Sequence, residues 1–328
     1  MKRILFPVLA MAALAGLMGW SAAAQQKSKA PAAKAPAAAA QPEASSDPSR
    51  IVYDVTRVNM LFTVTDKRGR FVTDLTQNDF EIFEKKQKQK ILEFTSETDL
   101  PLRLAILIDT SSSIRDRFRF QQEAATAFIN GIMRDRDKAM VVSFDTGAEL
   151  VADLTSDTNK LENAIRDLRP GGGTALYDAI FFAAKERLSL DQPLYKFRRA
   201  MVILSDGEDN QSHYSRDQAL EMAQKADVVI YTISTNRSHV ETDGDKVMRY
   251  YADQTGGSSF FPFEAKDLNQ SFENIANELR HQYNLFYRPE PEHDDGQYHT
   301  VDIKVRGRRD VVVRARKGYY AKRLTSSS

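Results

Sequence analysis

Apolar and polar positions set out the architecture of this chain. From Arg57 onward, Val58, Met60, Phe62 and Val64 alternate with Asn59, Leu61, Thr63 and Thr65. A period of two puts each set on one face, so the segment predicts a half-buried strand. Asp66-Lys67-Arg68-Gly69 ends it as a turn. Phe80–Phe83 and Ile91–Phe94 predict two more short strands, with the charged run Glu84–Lys90 between them as a solvated hairpin tip. The same alternation returns late in the chain. There His299, Val301, Ile303 and Val305 oppose Thr300, Asp302, Lys304 and Arg306, and Val311, Val313 and Ala315 repeat the pattern.

Between these flanks the grammar differs. Leu104-Ala105-Ile106-Leu107-Ile108 is a continuous apolar run, as expected of a strand buried on both faces. Ala139–Phe144, Met201–Leu204 and Val228–Ile233 read the same way, and helical segments are expected at 121–133, 159–168, 175–188 and 216–225. Leu268, Phe272, Ile275 and Leu279 recur at helical spacing on one face. Buried strands alternating with helices predict an α/β unit, a doubly wound, mainly parallel sheet. The two strand-rich flanks are expected to join into one small all-β sandwich around it. Each supplies only about three strands, too few to bury an apolar face alone.

The first residues follow another rule. Lys2 and Arg3 precede the apolar run Ile4–Trp20, and Ala22-Ala23-Ala24 follows. This is the pattern of a secretory signal cut after Ala24. The run is shorter than a spanning helix needs and contains Pro7. Residues 25–50, rich in Ala, Pro, Lys and Gln, predict an extended spacer. The expected organisation is therefore a leader at 1–24, a linker at 25–50 and the first sandwich part at 51–99. The α/β domain follows at 100–282, the second sandwich part at 283–322 and a tail at 323–328.

Composition narrows the partners. In 328 residues, 46 Lys and Arg face 45 Asp and Glu, for a net charge of +1. That balance removes the electrostatic case for nucleic acid. With no cysteine, both a lipid-anchored lipoprotein and disulfide staples are excluded. An exported chain of this kind fits a bacterial periplasm or cell surface, with no membrane span left after cleavage.

The candidate chemistry sits at strand ends. The first buried strand runs into Asp109-Thr110-Ser111-Ser112-Ser113, and the strand at 201–204 runs into Ser205-Asp206-Gly207. Gly171-Gly172-Gly173-Thr174 lies between them in sequence. In an open doubly wound sheet, ligands bind beyond the carboxyl ends of strands, where the strand order reverses. Two carboxylates and three hydroxyls (Asp109, Ser111, Ser113, Thr174 and Asp206) form an all-oxygen set. Such a set suits Mg²⁺, with Mn²⁺ or Ca²⁺ as alternatives, and argues against zinc or copper. Asp178, Glu208 and Asp209 are nearby acids expected to support the site or face solvent. Asp243-Gly244-Asp245 lacks the ligand spacing of a calcium loop and is expected to be a solvated loop.

Asp-x-Ser-x-Ser at 109–113, Gly-Gly-Thr at 172–174 and Ser-Asp-Gly at 205–207 resemble the metal-ion-dependent adhesion site of von Willebrand factor type A domains. The resemblance spans about Pro101 to Gln282. It implies that Ser111, Ser113 and Thr174 give hydroxyls to the metal, and that Asp109 and Asp206 bind it directly or through water. A partner's Asp or Glu would complete the shell. Leu75-Thr76-x-x-Asp79-Phe80 and Arg314–Tyr320 further resemble the exported acidobacterial VWFA-related group, which implies architecture more than activity.

The expected function is therefore an exported, metal-dependent adhesion or protein-binding module that takes an acidic group of a partner, and not an enzyme. One alternative is a metal-dependent envelope hydrolase with Ser113 as nucleophile and His213 as base. Another is a structural subunit whose metal only stiffens the fold.

Overall fold

A computed structural model describes residues 57–96, 100–236, 240–262 and 265–323, all within one compact unit, Tyr53–Ser328. The expected leader and spacer, the start of the first flank and residues 324–328 lie outside the described residues. The first flank supplies β1 (Val58–Asp66), β2 (Phe80–Glu84), β3 (Gln87–Gln89) and β4 (Ile91–Ser96). The central unit begins with β5 (Leu102–Asp109), α1 (Phe118–Ile132), β6 (Lys138–Phe144), β7 (Ala148–Thr155) and α2 (Thr158–Asp167). It continues through α3 (Leu176–Ala183), β8 (Arg198–Ser205), α4 (Arg216–Lys225) and β9 (Val228–Ser234). α5 (Asp243–Thr255), β10 (Ser259–Phe260) and α6 (Ala265–Arg280) close it. The second flank carries β11 (Tyr283–Tyr287), β12 (Tyr298–Val305), β13 (Val311–Ala315) and β14 (Gly318–Tyr320).

The central sheet has six strands in the order β10-β9-β8-β5-β6-β7, parallel except for edge strand β7. β5 feeds β6 on one side, and the chain later returns to β8 on the other. The order thus reverses between β5 and β8, where Ile108 lies beside Leu204. Side chains of β5 alternate between two cores. Leu104, Ile106 and Ile108 pack with α1, α2 and α6, whereas Ala105 and Leu107 pack with α3, α4 and α5. The predicted face of α6, with Leu268, Phe272, Ile275 and Leu279, is buried in the first of these.

Both flanks contribute to both of the remaining sheets, β13-β1-β11-β4 and β14-β12-β2-β3. Inward residues of the two share one core, with Met60, Phe62 and Tyr283 from the first and Ile82, Ile303 and Tyr319 from the second. Tyr283 stacks on Phe62 and Phe94 at 5.5 Å and meets the edge of Phe80 at 5.4 Å. Its hydroxyl donates to Val72 O and accepts from Leu75 N.

Three local expectations need correction. β1 is buried on nearly every residue, not on one face. On its outer side Arg316, which also pairs with Asp227 of the central unit, donates to Asn59 O, and Phe286, the register partner of Asn59, meets Tyr195. The run at 84–90 is not a solvated tip throughout. β2 continues through Glu84, which is 2% exposed, and only Lys85-Lys86 turn, both with positive φ. Asp243-Gly244-Asp245 is the first turn of α5, not a loop. Thr242 accepts from Asp245 N while Asp245 accepts from Thr242 N, a capping box that starts a helix. β7, a partly exposed edge strand with shifted register, had no clear alternation to announce it.

The sandwich meets the central unit at the amino ends of its strands. Arg316 pairs with Asp227, just before β9, at 2.6 Å. Arg314 reaches Glu278 on α6 at 3.0 Å. Gly256 ends α5 with φ of 85° against the backbone of Ala315, where a Cβ would lie 2.6 Å from a main-chain atom. A strand as long as β5 spans roughly 25 Å. Its carboxyl end therefore stands clear of the sandwich.

Candidate metal centre

Asp109 is the last residue of β5 and is completely buried. One carboxylate oxygen accepts from Ser111 N at 2.8 Å and the other from Ser205 Oγ at 2.6 Å. The chain then turns outward, so the two-residue spacing brings Ser111 Oγ within 2.9 Å of Ser113 Oγ. Ser113 Oγ donates to Asp206 Oδ2 at 2.7 Å. Glu208 N supports the other Asp206 oxygen at 3.2 Å. Asp109, Ser111, Ser113 and Asp206 thus form one connected polar group across the β5/β8 reversal.

Thr174, also buried, is brought to this group by its loop. Gly171 N donates to Thr110 O at 2.6 Å, and Ser112 N donates to Gly172 O at 3.3 Å. On the other side, Asn210 Oδ1 accepts from Thr174 N at 3.0 Å, while Thr174 O accepts from Asn210 N and Gln211 N. The loop is therefore held to the Asp109 segment through main-chain groups and to the stretch after Asp206 through Asn210 and Gln211.

Among the described residues, every hydrogen bond to the Asp109 and Asp206 carboxylates comes from a hydroxyl or a main-chain N–H. Burial raises the Asp109 carboxyl to about 6, and the Asp206 charge adds to the rise, against the hydrogen bonds from Ser111 and Ser205. Among the described residues, neither acid forms an ion pair with a Lys or Arg.

Residues 104–208 match the von Willebrand factor type A domain family. The chain carries a von Willebrand factor type A domain. This A domain has relatives of varied size. An uncharacterised protein of Borreliella burgdorferi is 29% identical over 161 residues, covering 46% of this chain and 44% of that protein. Calcium-activated chloride channel regulator 1 of Bos taurus is 27% identical over 172 residues, covering 51% of this chain and 18% of that protein. The chain thus spans less than half the length of either relative. Among solved structures, von Willebrand factor type A from Catenulispora acidiphila aligns at TM-score 0.48 and 14% identity, over 74% of this chain and 76% of that one. Proximal thread matrix protein 1 from the mussel byssus, with a zinc-occupied MIDAS motif, aligns at TM-score 0.48 and 20% identity, over 60% and 49%.

The other polar residues near the A-domain motif have distinct duties. Asp209 accepts from Tyr177 N at the start of α3 and from Ser212 Oγ. Asp178 accepts from His213 N and Tyr214 N and holds His213 Nδ1 at 2.9 Å. Sequence reading missed the supports: Ser205 under Asp109, Asn210 beside Thr174, and Gly244. A Cβ on Gly244 would lie 2.2 Å from Asp206 O, so α5 presses directly on the Asp206 loop. The Thr242-x-x-Asp245 capping box, followed by Met248, Tyr251, Ala252 and Thr255 at helical spacing, was the signal for that helix.

Proposed function

We propose that this protein is an exported binding module whose A domain holds Mg²⁺, or Mn²⁺ or Ca²⁺, through Asp109, Ser111, Ser113, Thr174 and Asp206. The cation would supply a Lewis-acidic position for an Asp or Glu of a partner protein. The observation that carries this reading is the buried Asp109 carboxylate, joined through Ser111 N–H and the Ser111 and Ser113 hydroxyls to Asp206, with neither acid ion-paired to a Lys or Arg among the described residues. An all-oxygen set with two negative charges fits a hard divalent ion. Ser113 is exposed and Asp206 half-buried at the end remote from the sandwich, which leaves that face open to a partner. On the hydrolase reading Ser113 would need a base. His213 instead engages Asp178, and the bonds of Ser113 go to Asp206 and Ser111, which favours binding over catalysis.

Calorimetric titration of Mg²⁺ into wild type and Asp109→Ala tests the site. One weak binding event is expected in wild type and none in the variant, and equal binding removes Asp109 from the site. Capture of envelope proteins should require the cation and fail in Asp206→Ala and Thr174→Ala. Full capture in chelator overturns the metal-dependent reading.

A further inference from the structure

A second cluster of ligating side chains lies in the sandwich. Glu84 ends β2, and His299 and Tyr319 face it from β12 and β14; all point inward at one end of the sandwich core. Val301 is the register partner of Glu84, so His299 lies one inward position along. His293 comes from the connection between β11 and β12. Glu84 Oε1 lies 3.1 Å from His293 Nε2 and 3.3 Å from His299 Nδ1. The two imidazoles stack at 3.8 Å, and the three ligand atoms lie within 4.8 Å of one another.

The protons decide what this cluster is for. His299 is 0% exposed, and its Nε2 lies 3.0 Å from Asp295 Oδ1. An ionised carboxylate only accepts, so the proton of that bond is on Nε2. In neutral imidazole Nδ1 then carries a lone pair. This buried Nδ1 makes no hydrogen bond, although it lies beside Glu84 Oε1. Glu84 is itself 2% exposed. Its Oε2 accepts from Tyr287 and its Oε1 from Tyr319, at 2.9 and 3.2 Å. A buried lone pair beside a buried carboxylate is costly without something positive to hold both.

We propose that Glu84, His293 and His299 bind a divalent transition-metal ion of the zinc class, with Asp295 as the residue that orients His299. Two imidazoles and one carboxylate are a zinc donor set and a poor magnesium one. Zinc–ligand bonds of about 2.0–2.2 Å in tetrahedral geometry set ligand atoms about 3.3–3.5 Å apart, close to the 3.1 and 3.3 Å separations here. The carboxylate–histidine pairing at His299 is the arrangement that fixes a ligating tautomer. The His293 side chain, 17% exposed, gives the ion a route from solvent. The ion would tie the β11–β12 connection to β2, two segments about 200 residues apart in sequence. It is separate in position from the A-domain site.

The test uses the full chain carrying Asp109→Ala, stripped with chelator and titrated with Zn²⁺ while thermal unfolding is followed. One Zn²⁺ should bind and raise the melting temperature. His293→Ala, on a surface connection, should lose at least about 100-fold in affinity and lose the thermal shift. Asp295→Asn should lose about 10–100-fold. Circular dichroism of the metal-free variants confirms that they fold. No stoichiometric Zn²⁺ in the Asp109→Ala chain overturns the proposal, as does equal affinity in His293→Ala. The same holds if Co²⁺ substitution gives no tetrahedral visible absorption.

Discussion

Asp109 and Glu84 are both carboxylates removed from water, 0% and 2% exposed, yet their surroundings are assembled differently. Asp109 ends a parallel strand, and its first partner, Ser111, lies two residues on. Parallel topology brings the carboxyl ends of β5 and β8 to the same side, so short loops suffice to gather hydroxyls and a second acid. Glu84 ends an antiparallel strand, and its partners Tyr287, His293, His299 and Tyr319 all come from the other flank. They meet through cross-strand register and the closing of two sheets over one core. The first environment gathers oxygen side chains and opens to solvent at Ser113, and the second holds imidazole nitrogen and meets solvent only past the partly exposed His293. A sheet's connectivity therefore decides whether a polar site is read locally or only after the fold has closed.

The largest test of this contrast removes the second flank. A chain ending at His281 leaves β1 without β11 and β13, and β2 without β12. Limited proteolysis should then cut residues 57–96 rapidly, while the A domain, whose two cores lie within 102–279, keeps its protection. An equally protected 57–96 segment would mean that the flanks fold separately.

Tyr283→Ala tests the same core without truncation. Loss of its ring contacts and of both hydrogen bonds at its hydroxyl should cost about 3–5 kcal/mol in denaturant unfolding of the sandwich. Mg²⁺ affinity at the A domain should hold. If Mg²⁺ affinity falls in parallel, the two ends are coupled and the contrast is too sharp.

The Asp109 carboxyl makes the metal-free A domain sensitive to pH. Burial lifts its pKa from the ordinary 3.8 to about 6. A raised carboxyl favours the folded state when protonated, so this contribution is present below about pH 4 and disappears as pH climbs through 6. The shift corresponds to about 3 kcal/mol. In chelator, wild type should lose roughly that much stability relative to Asp109→Asn between pH 4 and 7, and saturating Mg²⁺ should reverse the loss. Parallel pH profiles for the two proteins would contradict the burial argument.

Gly244→Ala should act at one site alone. Its Cβ would push on Asp206 O, so Mg²⁺ affinity should fall about tenfold, or about 1.4 kcal/mol by calorimetry, with Zn²⁺ binding in the sandwich unchanged. At the small end is Lys88→Ala, which removes an exposed pair with Glu81. It should shift sandwich stability by less than about 1 kcal/mol. A larger effect would show that the β2–β3 hairpin is held from its surface.

Much of this was legible along the chain. Continuous apolar runs announced β5, β8 and β9, because a strand covered on both faces needs no polar residue. Alternation announced β1, β12 and β13. Asp109, Ser111 and Ser113 were readable because their geometry is set by the spacing itself. The α5 helix was overlooked although its capping box and buried stripe were present, since Gly244 and two aspartates at its start resemble a loop. Gly244 is there because α5 touches the Asp206 backbone, a contact with no local signature.

By itself the sequence determined most of the strands and helices, with β7 and α5 among the exceptions, and that Asp109, Ser111, Ser113 and Asp206 gather where β5 and β8 end. Those features depend on neighbours within a few residues and on a topology with one favoured handedness. Only the tertiary structure decided that β1 is covered on its outer face as well, that Asp109 is buried enough to hold its proton to about 6, and that Glu84 meets His293 and His299. Each of these depends on which surfaces close over one another. A lysine-rich run and two distant histidines carry no trace of that closure until register pairs Glu84 with Val301.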